Sequence, residues 1–292
     1  MLKSMTGFGK ASAQIDDKTV NVEIKSLNSQ KGLDLNVKLP SKYRAFEYEL
    51  RNKLSILLQR GKVDVFISLE HNTASSEISL NRELIISYFN EFKSIANEVG
   101  VSTERLLPTI LQMPDVIGES HEEASENELA TIEKVVMNAV KEVDGFRVNE
   151  GNSTKADLLQ RVKNIESHAA ELKKEDPRRI NDVRERLQNN LEQFISKDKI
   201  DQNRFEQEVI FYIEKLDINE ELSRLQSHCT YFAQIVADKE ELKGRKLNFI
   251  AQEMGREINT VGSKANDAVM QKIVVNMKDE LEKVKEQTNN VL

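Results

Sequence analysis

One cysteine, no tryptophan, four prolines and eleven glycines among 292 residues leave this chain short of several side chains that would define its class. The lone Cys229 excludes an internal disulfide, a cysteine-ligated zinc site and an iron–sulfur cluster, because each needs more than one thiol. No apolar run approaches the ~20 residues of a membrane span. Residues Met1 to Lys10 contain neither the apolar stretch of an export signal nor the Arg-rich pattern of a transit peptide, so a cytoplasmic location is expected. Positive charge is in deficit, with 42 Lys and Arg against 49 Asp and Glu and a net of −7. That balance argues against a protein that coats nucleic acid through a generally basic surface, so any contact with a polyanion must be local.

What is present is mostly helix signal. Residues 1 to about 70 are the exception. Val20, Val22 and Ile24 alternate with Asn21, Glu23 and Lys25, and the same period of two returns through Leu35 and Val37 and from Val63 to Leu69, as in half-buried strands. Between the last two, Tyr43, Phe46, Leu50, Leu54, Leu57 and Leu58 follow helical spacing after Pro40, with Ser41 as the expected cap. From Leu129 the pattern is helical almost to the end. Gly151 inside it marks a kink or close packing, and Asp176-Pro177 reads as the turn of an antiparallel helical hairpin. The expected class is α+β: an N-terminal mixed sheet-and-helix layer over residues 1–150, a helical hairpin connector over 151–204, and a long-helix domain over 205–292 that carries the chemistry. Thin layers and wide apolar helix faces leave surface that one copy does not bury, so a symmetric, ring-shaped oligomer is expected.

Residues 244–265 hold the densest set of functional side chains. At about 100° per residue, Leu247, Ile250, Met254, Ile258 and Val261 share a face, as in a helix packed on a core. Lys246, Glu253, Glu257, Thr260 and Lys264 fall on the adjoining face, and Gln252, Arg256, Asn259 and Ser263 lie beyond the stripe. Four cations, Arg245, Lys246, Arg256 and Lys264, face only two carboxylates here, a local reversal of the chain's charge. An ordinary solvated face laced with i,i+4 pairs worth ~0.2–0.5 kcal/mol each is one explanation. Against it, the Asn, Gln, Thr and Ser are mediocre helix formers that add little to an exposed face.

A second row follows if residues 205–240 form one unbroken helix. Glu214, Asp217, Glu221, Arg224 and His228 then share a side, while Leu222, Leu225, Cys229, Phe232 and Val236 make the buried face. Packing this helix on the next sets Glu221 and His228 opposite Glu253 and Glu257. One imidazole among carboxylates suits Mn²⁺ or Mg²⁺ better than structural zinc, because oxygen-rich sites favour hard ions. The alternative is a histidine that merely ends an ion-pair row.

The order of residues in this region, G-R-K-L-x-F-x-x-Q-E-x-x-R-E-x-N-T-x-x-S-K from Gly244, resembles the C-terminal signature of the YicC family of bacterial proteins. The resemblance spans nearly the whole chain: S-M-T-G-F-G from Ser4, S-x-N at Ser26 to Asn28, R-G-K at Arg60 to Lys62, R-x-x-E-G…D-L-x-x-R from Arg147 to Arg161, and E-E-L-x-R-L-x-x-H from Glu220 to His228. It departs from the family pattern over Ser29 to Leu33 and at Asn248, where Asp is common. The resemblance implies a divalent-metal-dependent endoribonuclease, Mn²⁺ favoured over Mg²⁺, that acts on structured RNA as a homohexameric ring away from membranes. Carried over residue by residue, it implies Glu221, His228, Glu253 and Glu257 as metal ligands; His228, Glu253, Glu257 and Lys264 as catalytic groups; and Arg224, Arg245, Lys246, Arg256 and Lys264 as the RNA-binding set. Two non-enzymatic alternatives stay open, a ring that only holds RNA and a helical scaffold with no nucleic acid.

Overall fold

The alternating segments pair into a four-stranded sheet. The computed structural model, which describes residues 1–15, 18–29, 31–71, 80–103, 105–116, 124–238 and 242–292, orders β1 (Gly7–Ile15), β2 (Lys18–Leu27), β3 (Leu33–Lys38) and β4 (Gly61–His71) as β1-β2-β4-β3. The β1/β2 and β2/β4 pairs are antiparallel and β3/β4 is parallel. Register follows the apolar pattern: Val20, Val22 and Ile24 of β2 face Leu69, Ile67 and Val65 of β4, so one face of the sheet is continuously apolar. Two helices cover that face, α1 (Glu47–Leu58) through Leu50, Leu54 and Leu58, and the first third of α4 (Glu126–Phe194) through Ile132, Val136, Ala139 and Val143. The helix expected from Ser41 is instead a 3₁₀ turn, Ser41–Phe46, leading into α1, and Ser41 does not cap it. Two short helices, α2 (Arg82–Val99) and α3 (Leu106–Ile110), lie between the sheet and α4 in sequence. His121, Asn72 and Ser75 lie outside the described residues.

Helix α4 overturns the expected hairpin. It opens on a capping box between Ser125 and Glu128 and runs for 69 residues, about 100 Å, straight through Pro177. Proline removes one helical hydrogen bond, but tertiary ties hold the chain on both sides of it. Arg179, 2% exposed, donates to Asp176 Oδ1, to the Leu216 carbonyl at 3.0 Å and to the Lys264 carbonyl at 2.9 Å. Arg178 reaches Asp267 at 2.8 Å. The 150/151 boundary therefore falls inside one rigid helix that serves two cores. Its middle, Leu158 to Leu172, packs with α6 (Asn219–Ala237), α7 (Gly244–Lys264) and α8 (Ala268–Thr288).

The single helix expected over 205–240 is two, α5 (Gln202–Leu216) and α6, because Asp217 turns extended and its side chain accepts from the Asn219 backbone N–H at 3.1 Å. Glu214 and Asp217 thereby leave the row that Glu221 begins.

The two cores are joined where distant ends of the sequence meet. Leu2 is buried in the helical core, Ser4 bridges Val291, and the Met5 N–H donates to the Asn290 carbonyl at 2.7 Å. Gly151 lets the main chain of Leu2 and Lys3 cross α4, since a Cβ there would lie 2.9 Å from Lys3 Cα. Buried Arg147 locks the junction by donating to Ser26 Oγ at 2.7 Å and to the carbonyls of Leu58 and Arg60 at 3.2 and 3.1 Å.

Candidate functional site

The amphipathic pattern of α7 is realised: Leu247, Met254, Ile258 and Val261 are fully buried and Ile250 nearly so. Its partner α6 turns Leu222, Leu225, Cys229, Phe232 and Val236 onto the same core. One ion pair fixes how the two helices stand. Lys264 Nζ, in the last turn of α7, donates to Glu221 Oε1, in the first turn of α6, at 2.7 Å. The helices are therefore antiparallel, closed by a link of which residues 239–241 lie outside the described set.

From that fixed point, seven residues along each helix is two turns, about 10 Å, and returns to nearly the same face. The step leads to His228 on α6 and to Glu257 on α7, so imidazole and carboxylate stand level across the helix pair. Both are half-buried, and neither makes a hydrogen bond or ion pair among the described residues. Such a pair is equipped for proton transfer: histidine exchanges a proton near neutral pH and a carboxylate accepts one from water. Glu221 is 6% exposed, and its second oxygen, Oε2, is buried with no hydrogen-bond partner. A carboxylate oxygen left in that state calls for a cation or donor.

The other expected residues are arranged differently. Glu253 pairs with Arg256 at 2.8 Å, and Arg256 is 75% exposed, so the pair is a surface one worth ~0–1 kcal/mol. Arg224 pairs with Glu220 on the exposed side of α6. Lys246 lies over the Tyr231 ring, 5.8 Å from its centroid. Arg245 has no carboxylate partner among the described residues. The expected four-ligand metal set is not assembled: among the described residues no three His, Cys, Asp or Glu side chains converge on a metal position. Helix register is the reason, because it gives Glu221 to Lys264 while Glu253 turns along its own helix to Arg256. Burial pushes the Cys229 thiol up to about 12, which keeps it protonated and unreactive at neutral pH.

Three arginines that position these elements escaped the spacing argument. Arg179 holds the Lys264 carbonyl and so the end of α7 that presents the Lys264 side chain; nothing in its charged surroundings distinguishes it. Arg147 sits in the R-x-x-E-G element, which signals its place at the junction but not its contacts. Arg60 occupies the R-G-K turn after α1, where its guanidinium lies against the start of α7.

The chain matches two family descriptions in succession, "Endoribonuclease YicC-like, N-terminal region" over residues 2–156 and "Endoribonuclease YicC-like, C-terminal" over residues 172–292. It is 32% identical over 295 residues to a protein of Clostridioides difficile (strain 630) named "Probable endoribonuclease YicC", with all of both chains covered. A protein of the same name from Haemophilus influenzae (strain ATCC 51907 / DSM 11121 / KW20 / Rd) is 31% identical over 296 residues, again across the full length of both.

Proposed function

The chain belongs to the YicC-like endoribonuclease family, and from that premise we propose that it cleaves phosphodiester bonds within structured RNA at the groove between α6 and α7. The observation that carries this is the level, unpartnered pair of His228 and Glu257 beside the Glu221–Lys264 bridge. In the proposed step Glu257 takes a proton from water, the water oxygen bonds to phosphorus, the bond from phosphorus to the leaving ribose oxygen breaks, and His228 gives that oxygen its proton. Lys264 stabilises the added negative charge, and Lys246, further along the same line of α7, holds a flanking phosphate. Arg224, Arg245 and Arg256 hold flanking phosphates, which gives binding the salt dependence of counterion release.

The metal expectation takes a narrower form. Three ligands do not converge, so no step is routed through an ion. Glu221 Oε2 is the donor left open, and we propose it as the carboxylate that takes Mn²⁺, or Mg²⁺ less readily, once Lys264 swings to the RNA phosphate. The ion would supply further charge neutralisation at phosphate. We further propose that the chain works in the cytoplasm as a ring of six copies. The exposed apolar side chains of Phe194 and Ile195, at the end of α4, and of Ile210 and Phe211, in the second half of α5, support self-association.

Cleavage of a fluorescent hairpin RNA by the wild type, His228→Gln, Glu257→Gln and Glu221→Gln tests the reading. The first two variants should lose ~10²–10⁴-fold in rate while retaining RNA. Calorimetric titration should show Mn²⁺ binding to the wild type but not to Glu221→Gln. Full activity in His228→Gln and Glu257→Gln would remove this pair as the catalytic site, and a wild type that retains the hairpin without cleaving it would leave a protein that only holds RNA.

A further inference from the structure

Outside the groove, the most unusual charge arrangement lies where the sheet half touches the start of α7. Arg60 stands in a turn that the backbone makes at some cost: Gln59 before it has φ 57° and Gly61 after it φ 116°, and a non-glycine residue at such a φ is uncommon. Arg147 holds this turn from below by donating to the carbonyls of Leu58 and Arg60. The result is a fixed platform whose side chain points at α7, with Arg60 Nη1 3.4 Å from the position of a Cβ on Gly244. Its Nε is buried without a hydrogen-bond partner. The neighbouring residue on α7 is Arg245, and burial first and the Arg245 charge second push the Arg60 guanidinium below its ordinary pKa. No carboxylate answers either arginine among the described residues. Two like charges brought together, one on a rigid turn with a desolvated donor to spare and one at the start of α7, are a destabilising arrangement unless an anion completes it.

We propose that Arg60 and Arg245 form a second phosphate subsite, which takes a backbone phosphate of the single-stranded part of the RNA whose bond is cut in the α6–α7 groove. This rests on the endoribonuclease reading and extends it to the N-terminal half of the chain. Arg245 lies twelve residues before Glu257, about 18 Å along the helix. At the ~3.4 Å spacing of a stacked strand that is on the order of five nucleotides from the cleaved bond. Lys246, next to Arg245 and on the line of Glu257 and Lys264, carries the strand between the two. The substrate class follows: a structured RNA with a single-stranded flank long enough to reach the subsite, recognised by its phosphates without regard to base.

The test uses hairpin RNAs whose 5′ and 3′ flanks are trimmed from eight nucleotides to two, with the full chain and with Arg60→Gln, Arg60→Lys and Arg245→Gln. For the long-flank RNA, Arg60→Gln and Arg245→Gln should each raise KM about tenfold with kcat changed less than twofold, and Arg60→Lys should recover most of the loss. Trimming one flank should weaken the wild type to the same extent and leave Arg60→Gln unaffected. The slope of log Kd against log salt should fall by about 0.7 in Arg60→Gln, as expected when one single-strand phosphate contact is lost. Equal loss on long and short RNAs, or none, in variants whose thermal unfolding matches the wild type would overturn the subsite. A wild type that cleaves neither RNA would overturn the endoribonuclease reading itself, and RNA held with an undiminished flank dependence in Arg60→Gln would refute the subsite alone.

Discussion

Two glycines six residues apart in α4 separate intrinsic helix preference from packing. At Gly145 an added methyl meets nothing within 4 Å, whereas at Gly151 it would overlap the Leu2 carbonyl and stand 2.8 Å from Leu2 C and 2.9 Å from Lys3 Cα. Gly145→Ala should therefore gain the full preference of alanine over glycine inside a helix, ~0.8–1 kcal/mol. Gly151→Ala makes the same gain but has to move main chain that cannot yield freely, because Leu2 is buried in the helical core and Met5 is bonded to Asn290. Overpacking of this kind costs ~1–3 kcal/mol, and lifting Leu2 out of the core forfeits up to ~2 kcal/mol more. The helix gain is common to both, so the two variants should differ by the cost alone, about 1–5 kcal/mol, with Gly145→Ala more stable than the wild type and Gly151→Ala no more stable than it. Urea unfolding followed by circular dichroism and by an extrinsic fluorophore reads the difference. Gly151→Ala as stable as Gly145→Ala would refute the tight crossing of the N-terminal segment over α4.

Asp267 caps α8, accepting from the Val269 and Met270 N–H groups at 3.0 Å; the Met270 bond first, and Arg178 further, hold its carboxyl below the usual range against the opposing effect of burial. A folded-state value below the unfolded one gives stability that is complete above about pH 4 and lost as pH falls through the folded value, so Asp267→Asn, which keeps a capping oxygen, should be ~0.3–1 kcal/mol less stable than the wild type at pH 7, and the difference should shrink as pH falls through the folded value. Light scattering at micromolar concentration should give six times the mass of one chain, and Phe211→Asp should lower it; a monomer would end the ring proposal.

Wherever one period dominates, the sequence is sufficient. The strand expected over Val63 to Leu69 is Gly61–His71, and the helix expected over 244–265 is Gly244–Lys264. Both errors of architecture have a common source. The helix that continues through Pro177 is tied by Arg179 to the Leu216 and Lys264 carbonyls, residues far away in sequence, and the helix that stops at Leu216 is ended by the Asp217 turn; periodicity registers neither. The candidate site divides in the same way. Which side chains share a face of α6 or α7 is a local property, and those rows were legible. Which acid meets which base depends on how one helix is set against the other, so the Glu221–Lys264 pair was not.

The bridge between Ser4 and Val291 sets an order of events during synthesis. The sheet and its covering helices draw their core from residues 15 to 143, so this half can close while the rest is still being translated. The helical half has to wait, since Leu2 finds its pocket only when Val284 and Val291 have appeared. At about 5–20 residues per second that interval is roughly seven to thirty seconds. During it the first few residues await a partner that does not yet exist, and the pairing that joins the two halves spans 287 residues of sequence, a long-range contact of the kind that slows folding.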